Sequence, residues 1–308
     1  MKLVTFQQDK EYPRVGLVTT HGIVDLAEAS YVLFHQEGAL PDDMLILLYQ
    51  EEQGMDQVYA VYETLENCRK PPASITFFEP DNIRLHSPIL RPGAMLDFYT
   101  FEQHVKTCRA KRGLEVVPEW YDFPVYYNGN PRSVIGYGDA VSFPRGEDKR
   151  DYELELAIVI GRKGRDISVE NAHEYIAGYT IMNDWSARSI QSKVMKVGLG
   201  PAKGKDFATS LGPCLVTVDE IEDPRNLTMT ARINGEEWSR GNSGSSQYTF
   251  EQMIAFASEG VTLYPGDVLG SGTVGTGCGL ELGRFLKPGD EVELEIEKIG
   301  ILRNRVSE

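Results

Sequence analysis

The chain has 308 residues and a formal net charge of −15, with 41% hydrophobic, 25% charged and 10% aromatic residues. That composition suits a globular protein with a sizeable core, and the negative charge argues against nucleic acid and anionic membranes as partners. No apolar run reaches membrane-spanning length, and the start MKLVTFQQDK lacks the apolar stretch of a secretion signal, so the expected location is the cytoplasm.

In chain order, residues 1–30 read as short strands, KLVTF, RVGLVTT and GIVDL, and residues 42–68 as helix. A proline-rich stretch from KPPAS to RPG marks a boundary in residues 70–92. The expectation is a small N-terminal α/β domain over 1–75 and a larger domain over 76–308. In the larger part a helix over 100–112 precedes the strands FPVYY, AVSFP and ELELAIVIG. Helices are expected at Val169–Ala177 and 185–193, with the strand YTIMND between them. After CLVTV and LTMTARING comes a helix at Glu251–Glu259, opened by a capping box of Thr249 and Gln252 and stopped by Gly260. DVLGSG and a final strand EVELEIEKIG close the chain. The class is α+β and β-rich.

The stretch Asp151 to Gly161, DYELELAIVIG, is unusual. Alternate strand residues share a face, so Asp151, Glu153, Glu155, Ala157 and Val159 point one way. Two glutamates two positions apart lie about 7 Å from each other. The face turns apolar at Ala157, which places the carboxylates where the sheet is becoming covered. Charges that close and half buried need a positive partner. Taken alone, the pair also fits a half-exposed edge strand.

Other carboxylates bear on that choice. Asp184, in GYTIMNDWSARSIQ, stands where a strand meets a helix, as an N-cap or as a ligand presented at a strand end. Asp97, in GAMLDFYTFEQHVK, precedes a helical pattern whose apolar face is Phe98, Phe101, Val105 and Cys108. His104 falls at the edge of that face, where packing and catalysis are both open. Lys106, Arg109, Lys111 and Arg112 follow as a basic edge or a solvated helix end. The four cysteines, Cys68, Cys108, Cys214 and Cys278, show no CxxC spacing, against a disulfide framework or structural zinc site.

With DFYTFEQHV, DYELELAIVIG, GYTIMNDWSARSIQ, GPAKGKDF and LELGRFLKPGD in this order, the chain resembles the fumarylacetoacetate hydrolase family over residues 80–308. The resemblance implies a mixed β-sandwich roll behind a small N-terminal domain, assembled as a homodimer. It implies a divalent cation held by Glu153, Glu155 and Asp184, with Asp97 as fourth ligand. His104 is matched to the catalytic histidine and Glu281 to the glutamate that supports it. Lys205 is matched to the catalytic lysine, and Tyr127, Arg188 and Gln191 to substrate-binding positions. An all-carboxylate set independently suits magnesium, manganese or calcium rather than zinc. The implied activity is hydrolysis of a C–C bond in a small β-dicarbonyl or acylpyruvate-type keto acid, with a histidine-activated water and a metal-stabilised enolate leaving. A lyase, decarboxylase or dehydratase on the same metal site is the alternative.

Two positions depart from the family pattern. Ser189 replaces an aspartate, and Thr107 stands where acylpyruvate-hydrolase and decarboxylase members carry a glutamate. Gly270, Gly272 and Gly275 have dinucleotide-fingerprint spacing, but no helical run follows to receive phosphates. A binding protein that has kept the fold without the chemistry is disfavoured by the intact acidic and basic set. The segment between His104 and Tyr127, with exposed-looking Trp120 and Tyr121, reads as a mobile lid or as a surface connection.

Overall fold

The computed structural model describes residues 1–9, 11–35 and 40–308. A twelve-stranded mixed sheet forms its centre. In the middle lies the Leu154–Ile160 strand, buried along its whole length. Ile176–Asn183 and Val268–Gly270 flank it antiparallel. Met95–Phe98 runs parallel to Val268–Gly270, and Tyr126–Asn128 follows antiparallel. In the other direction come Thr209–Thr217 and then Lys2–Gln7, with Leu3 opposite Leu215. The N-terminal strands thus continue this sheet.

A second, five-stranded sheet orders Glu236–Asn242, Thr228–Ile233, Glu291–Ile296, Gly300–Val306 and Ala140–Val141. Its period-two pattern buries Val292, Leu294 and Ile296 beside Leu154, Leu156 and Ile158 of the central strand in one apolar core. The opposite side of that strand, Ala157 and Val159, packs in another core with Leu17, Leu47, Val61 and Leu65 of the N-terminal segment. The acidic face therefore turns apolar at Ala157 because the N-terminal helices cover it there. The architecture is α+β and sheet-rich.

The helices are α1 (Leu26–Phe34), α2 (Met44–Leu48), α3 (Glu51–Glu66), α4 (Glu102–Ala110), α5 (Arg188–Val194), α6 (Phe250–Ser258) and α7 (Gly279–Leu282). The capping box at α6 forms as expected: the Gln252 amide donates to Thr249 Oγ1 at 3.3 Å and the Thr249 amide donates to Gln252 Oε1 at 2.9 Å. Three expectations are corrected. The helix over 42–68 is two helices, parted at Tyr49 and Gln50, with Glu51 at φ 50°. Val169–Ala177 holds only a 3-10 turn, Ala172–Tyr175, because Ile176 already opens a strand pressed against Thr209–Thr217. The final strand is a hairpin, Glu291–Ile296 and Gly300–Val306, turning at Lys298 with φ 65°.

Candidate active site

Three neighbouring strands converge on one acidic cluster. Asp97 comes from Met95–Phe98, Glu155 from Leu154–Ile160, and Asp184 directly follows Ile176–Asn183. One carboxylate oxygen of each lies within 4.8 Å of the other two, and all three residues are buried. Asp97 Oδ1 and Asp184 Oδ1 have no hydrogen-bond partner among the described residues. Gly270 lies between: a Cβ there would sit 2.9 Å from Glu155 Oε2 and 3.0 Å from Asp97 Oδ1. Burial and then the neighbouring carboxylates push Asp97 well above the usual carboxylate range. Burial and then Asp184 push Glu155 up to about 8. Orphaned buried oxygens, mutual repulsion and a glycine that keeps the space open fit a hard divalent cation.

Glu153, one residue before the central strand, points its carboxylate to the cations. Arg188 Nη2 donates to Glu153 Oε1 at 2.7 Å, and Lys205 Nζ contacts both Glu153 Oε2 and Asp184 Oδ2. Burial opposes ionisation of Glu153, but Arg188, Lys205 and His104 outweigh it and hold the carboxyl well below its ordinary value. The Tyr127 hydroxyl donates to Asp184 Oδ2 at 2.7 Å. Five buried carboxyl groups, Asp97, Asp151, Glu153, Glu155 and Asp184, face two buried permanent cations, Arg188 and Lys205. A divalent cation would reduce that excess.

Two supporting residues escaped the sequence reading. Asp151 accepts from Arg188 Nε at 2.7 Å and from the Gly279 and Leu280 amides at 2.7 and 2.9 Å, tying Arg188 to α7. Its place on the same strand face as Glu153 and Glu155 was the available signal. Glu147 accepts from the Ser189 and Ile190 amides at 3.1 and 3.2 Å and so holds the start of α5. Asp184 is not the cap of that helix; the N-cap is Ala187, which makes no side-chain cap bond. Gln191 Oε1 accepts from Arg188 Nη1 at 3.0 Å, which leaves its amide nitrogen to donate elsewhere.

His104 is buried on α4, with Nδ1 2.6 Å from Glu281 Oε1. Glu281 Oε2 in turn accepts from the Thr276 amide at 3.0 Å. The ring stands edge-on to Tyr99, centroids 5.5 Å apart, and Nε2 is 3.8 Å from Glu153 Oε1. Burial disfavours the imidazolium, but hydrogen bonds with Cys278 and Glu281 prevail and raise His104 to about 10.

These groups border a cavity of about 480 Å³, whose rim carries Arg109, Lys111, Arg112 and Lys149. Glu281 is reached through His104. Lys106 turns away to pair with Glu102 at 2.9 Å. Trp120, expected to be exposed, is buried. Its indole needs a partner and donates to Tyr99 O at 2.7 Å, and the Tyr248 hydroxyl donates to Trp120 O at 2.9 Å. Exposed residues lie on either side of it, at 111–115, 117–119 and 121–123.

Residues 94–307 match the family described as fumarylacetoacetate (FAA) hydrolase C-terminal. The oxaloacetate tautomerase Fahd2a, mitochondrial, of Rattus norvegicus is 33% identical over 99% of this chain and 91% of its own length. The oxaloacetate tautomerase YisK of Bacillus subtilis is 31% identical, covering 95% of each. Among solved structures, maleylpyruvate hydrolase from Sphingobium sp. SYK-6 in complex with manganese(II) and pyruvate aligns with a TM-score of 0.74 at 22% identity, over 100% of this chain and 99% of that one. No helix among the described residues is long and apolar enough to cross a membrane.

Proposed function

The chain belongs to the fumarylacetoacetate hydrolase family, and on that premise we propose that it is a divalent-cation-dependent enzyme interconverting the keto and enol forms of a small 2-oxo dicarboxylic acid of the oxaloacetate kind. The observation that carries this reading is the acidic cluster of Asp97, Glu155 and Asp184 lying in one cavity with the His104–Glu281 pair. The names of the rat and Bacillus relatives support the substrate class.

Asp97, Glu155 and Asp184 would hold the cation, with Glu153 as fourth ligand once it releases Lys205. When bound, the cation supplies a Lewis acid for the oxygens of a 1,2-dicarbonyl group and lowers the acidity barrier at the adjacent carbon. Magnesium, manganese and calcium all suit the donor set. His104 is oriented by Glu281 through Nδ1, which leaves Nε2 as the nitrogen to exchange a proton with the carbon beside the carbonyl. Protonated in the metal-free protein, it would act as the base once a bound cation offsets the carboxylates that favour the imidazolium. Lys205, kept charged by Asp184 and Glu153 against the cost of burial, stabilises negative charge on the enol oxygen. Gln191 offers its amide nitrogen to a carboxylate, and Tyr127 and Arg188 hold Asp184 and Glu153 in place. The basic rim attracts a dianion into an otherwise acidic protein.

The same His104–Glu281 pair favours a second reading, in which Nε2 deprotonates a water that cleaves a C–C bond of an acylpyruvate-type acid. A decarboxylase or dehydratase would use the same elements. The decisive experiment follows the enol absorbance of oxaloacetate, with magnesium or manganese, against buffer and against His104→Gln. Decay no faster than in buffer would remove the tautomerase reading. A panel of acylpyruvates in ¹⁸O water, read by mass spectrometry, tests the hydrolase reading by label in the product acid. The proposal includes a homodimer, checked by light scattering, and a cytoplasmic location; the rat relative's name says mitochondrial and the Bacillus one does not.

A further inference from the structure

At the cavity wall, around His104, lies a second group of metal-ligating atoms, of which the proposed reaction uses only the imidazole. Cys108 follows His104 by one helical turn on α4 and so shares its face. Cys278 immediately precedes α7 and is bridged to Glu153 across the sheet end. The ligand atoms of His104, Cys108 and Cys278 lie within 4.8 Å of one another, and all three side chains are buried. Cys108 Sγ is 3.8 Å from His104 Nδ1, Cys278 Sγ is 3.9 Å from the same nitrogen, and Cys278 Sγ is 3.7 Å from Glu281 Oε1.

These separations are close to those of an assembled site. Bonds of about 2.3 Å to sulfur and about 2.0 Å to nitrogen in a tetrahedron set donors roughly 3.5 Å apart. The donor types also differ from those of the acidic cluster: two thiols and an imidazole are soft to borderline, whereas Asp97, Glu155 and Asp184 offer only hard oxygens. Cys108 lines the cavity, which gives an ion a way in. The other two cysteines are elsewhere: Cys214 donates its thiol to Ile299 O at 3.6 Å and Cys68 is half-buried.

We propose that His104, Cys108 and Cys278 form a second cation site, selective for thiophilic ions such as Zn²⁺ or Cd²⁺, with Glu281 placed to complete the shell. Binding releases both thiol protons and the Nδ1 proton of His104 to solvent, leaves the ring neutral with its proton on Nε2, and breaks the hydrogen bond with Glu281. A bound thiophilic ion would therefore inhibit the enzyme. That consequence, unlike the binding, rests on the proposed role of His104.

The test titrates Cd²⁺ into the magnesium-loaded enzyme while thiolate-to-cadmium ultraviolet absorption and turnover are read in parallel. The expected result is one absorbing Cd²⁺ per chain, with excess magnesium leaving the titration unchanged. Cys108→Ser and Cys278→Ser should each weaken the band by about tenfold or more, and Cys68→Ser should leave it intact. If Cys278→Ser does not fold, Cys108→Ser decides, because that side chain borders the cavity. No band, or a band of equal affinity in Cys108→Ser, overturns the site. Inhibition of equal strength in Cys108→Ser overturns the inhibitory consequence, since the ion would then be acting at the carboxylates. A cysteine-dependent band with undiminished turnover upholds the site and instead removes His104 from the chemistry.

Discussion

His104 Nδ1 and Glu281 Oε1 lie 2.6 Å apart although 177 positions separate them in the chain. Burial opposes a charged imidazole, and Cys278 and Glu281 together reverse that effect. In the metal-free protein the raised imidazole contributes stability that is complete below its ordinary value of about 6.5 and is lost as pH rises towards about 10. Glu281→Gln should therefore be less stable than the wild type in acid, and the gap should close as the pH approaches 10. Urea titrations at a series of pH values measure it; a gap that widens with pH contradicts the pairing. Turnover of the variant should fall by about 10²-fold or more.

Cation binding should depend on pH in the opposite sense. Burial and Asp184 push the Glu155 carboxyl up to about 8, so below that pH a cation must displace its proton. The apparent affinity for magnesium should rise with pH up to about 8, changing by about tenfold per pH unit for each proton displaced. Calorimetry in buffers of different ionisation enthalpy should show the released proton. Affinity independent of pH between 6 and 8, on the order of the range set by that raised carboxyl, would contradict it.

Gly270 gives a test that substitutes none of the ligands. A methyl group at this position would overlap Met182 Cε and stand 2.9 Å from Glu155 Oε2 and 3.0 Å from Asp97 Oδ1, so the end of the Met182 side chain and the Glu155 carboxylate must both shift. Gly270→Ala should weaken magnesium binding by about 10²-fold or more, a loss of roughly 2.7 kcal/mol. The cation should also cease to raise the melting temperature. Unchanged calorimetric affinity would show that the cation lies away from this cluster.

The two halves of the segment after α4 should behave differently. Trp120→Ala should destabilise the protein by about 3–5 kcal/mol, because it removes a buried ring and its bond to Tyr99 O. Residues 111–115 are exposed and lead from the cavity rim. If they close over a ligand, their amide exchange should slow with oxalate and magnesium while that of Trp120 is slow in both states. Equal exchange of 111–115 with and without oxalate removes the closing lid.

The sequence by itself determined what depends on neighbours along the chain. Strand alternation in DYELELAIVIG, the capping box of α6 and the apolar face of α4 are all set by local periodicity and backbone bonding, and all were legible. The acidic and basic residues were legible as a set through their motifs. Tertiary structure decided how each is used. Glu153 and Glu155 are two residues apart, yet the first meets Arg188 and Lys205 while the second meets Asp97 across Gly270. The roles of Asp151, Glu147 and Trp120 likewise depend on distant partners at α7, α5 and Tyr99. The physical reason is the same in each case. Periodicity decides which face a side chain takes, but hydrogen-bond partners and electrostatic shifts depend on which remote atoms that face is packed against.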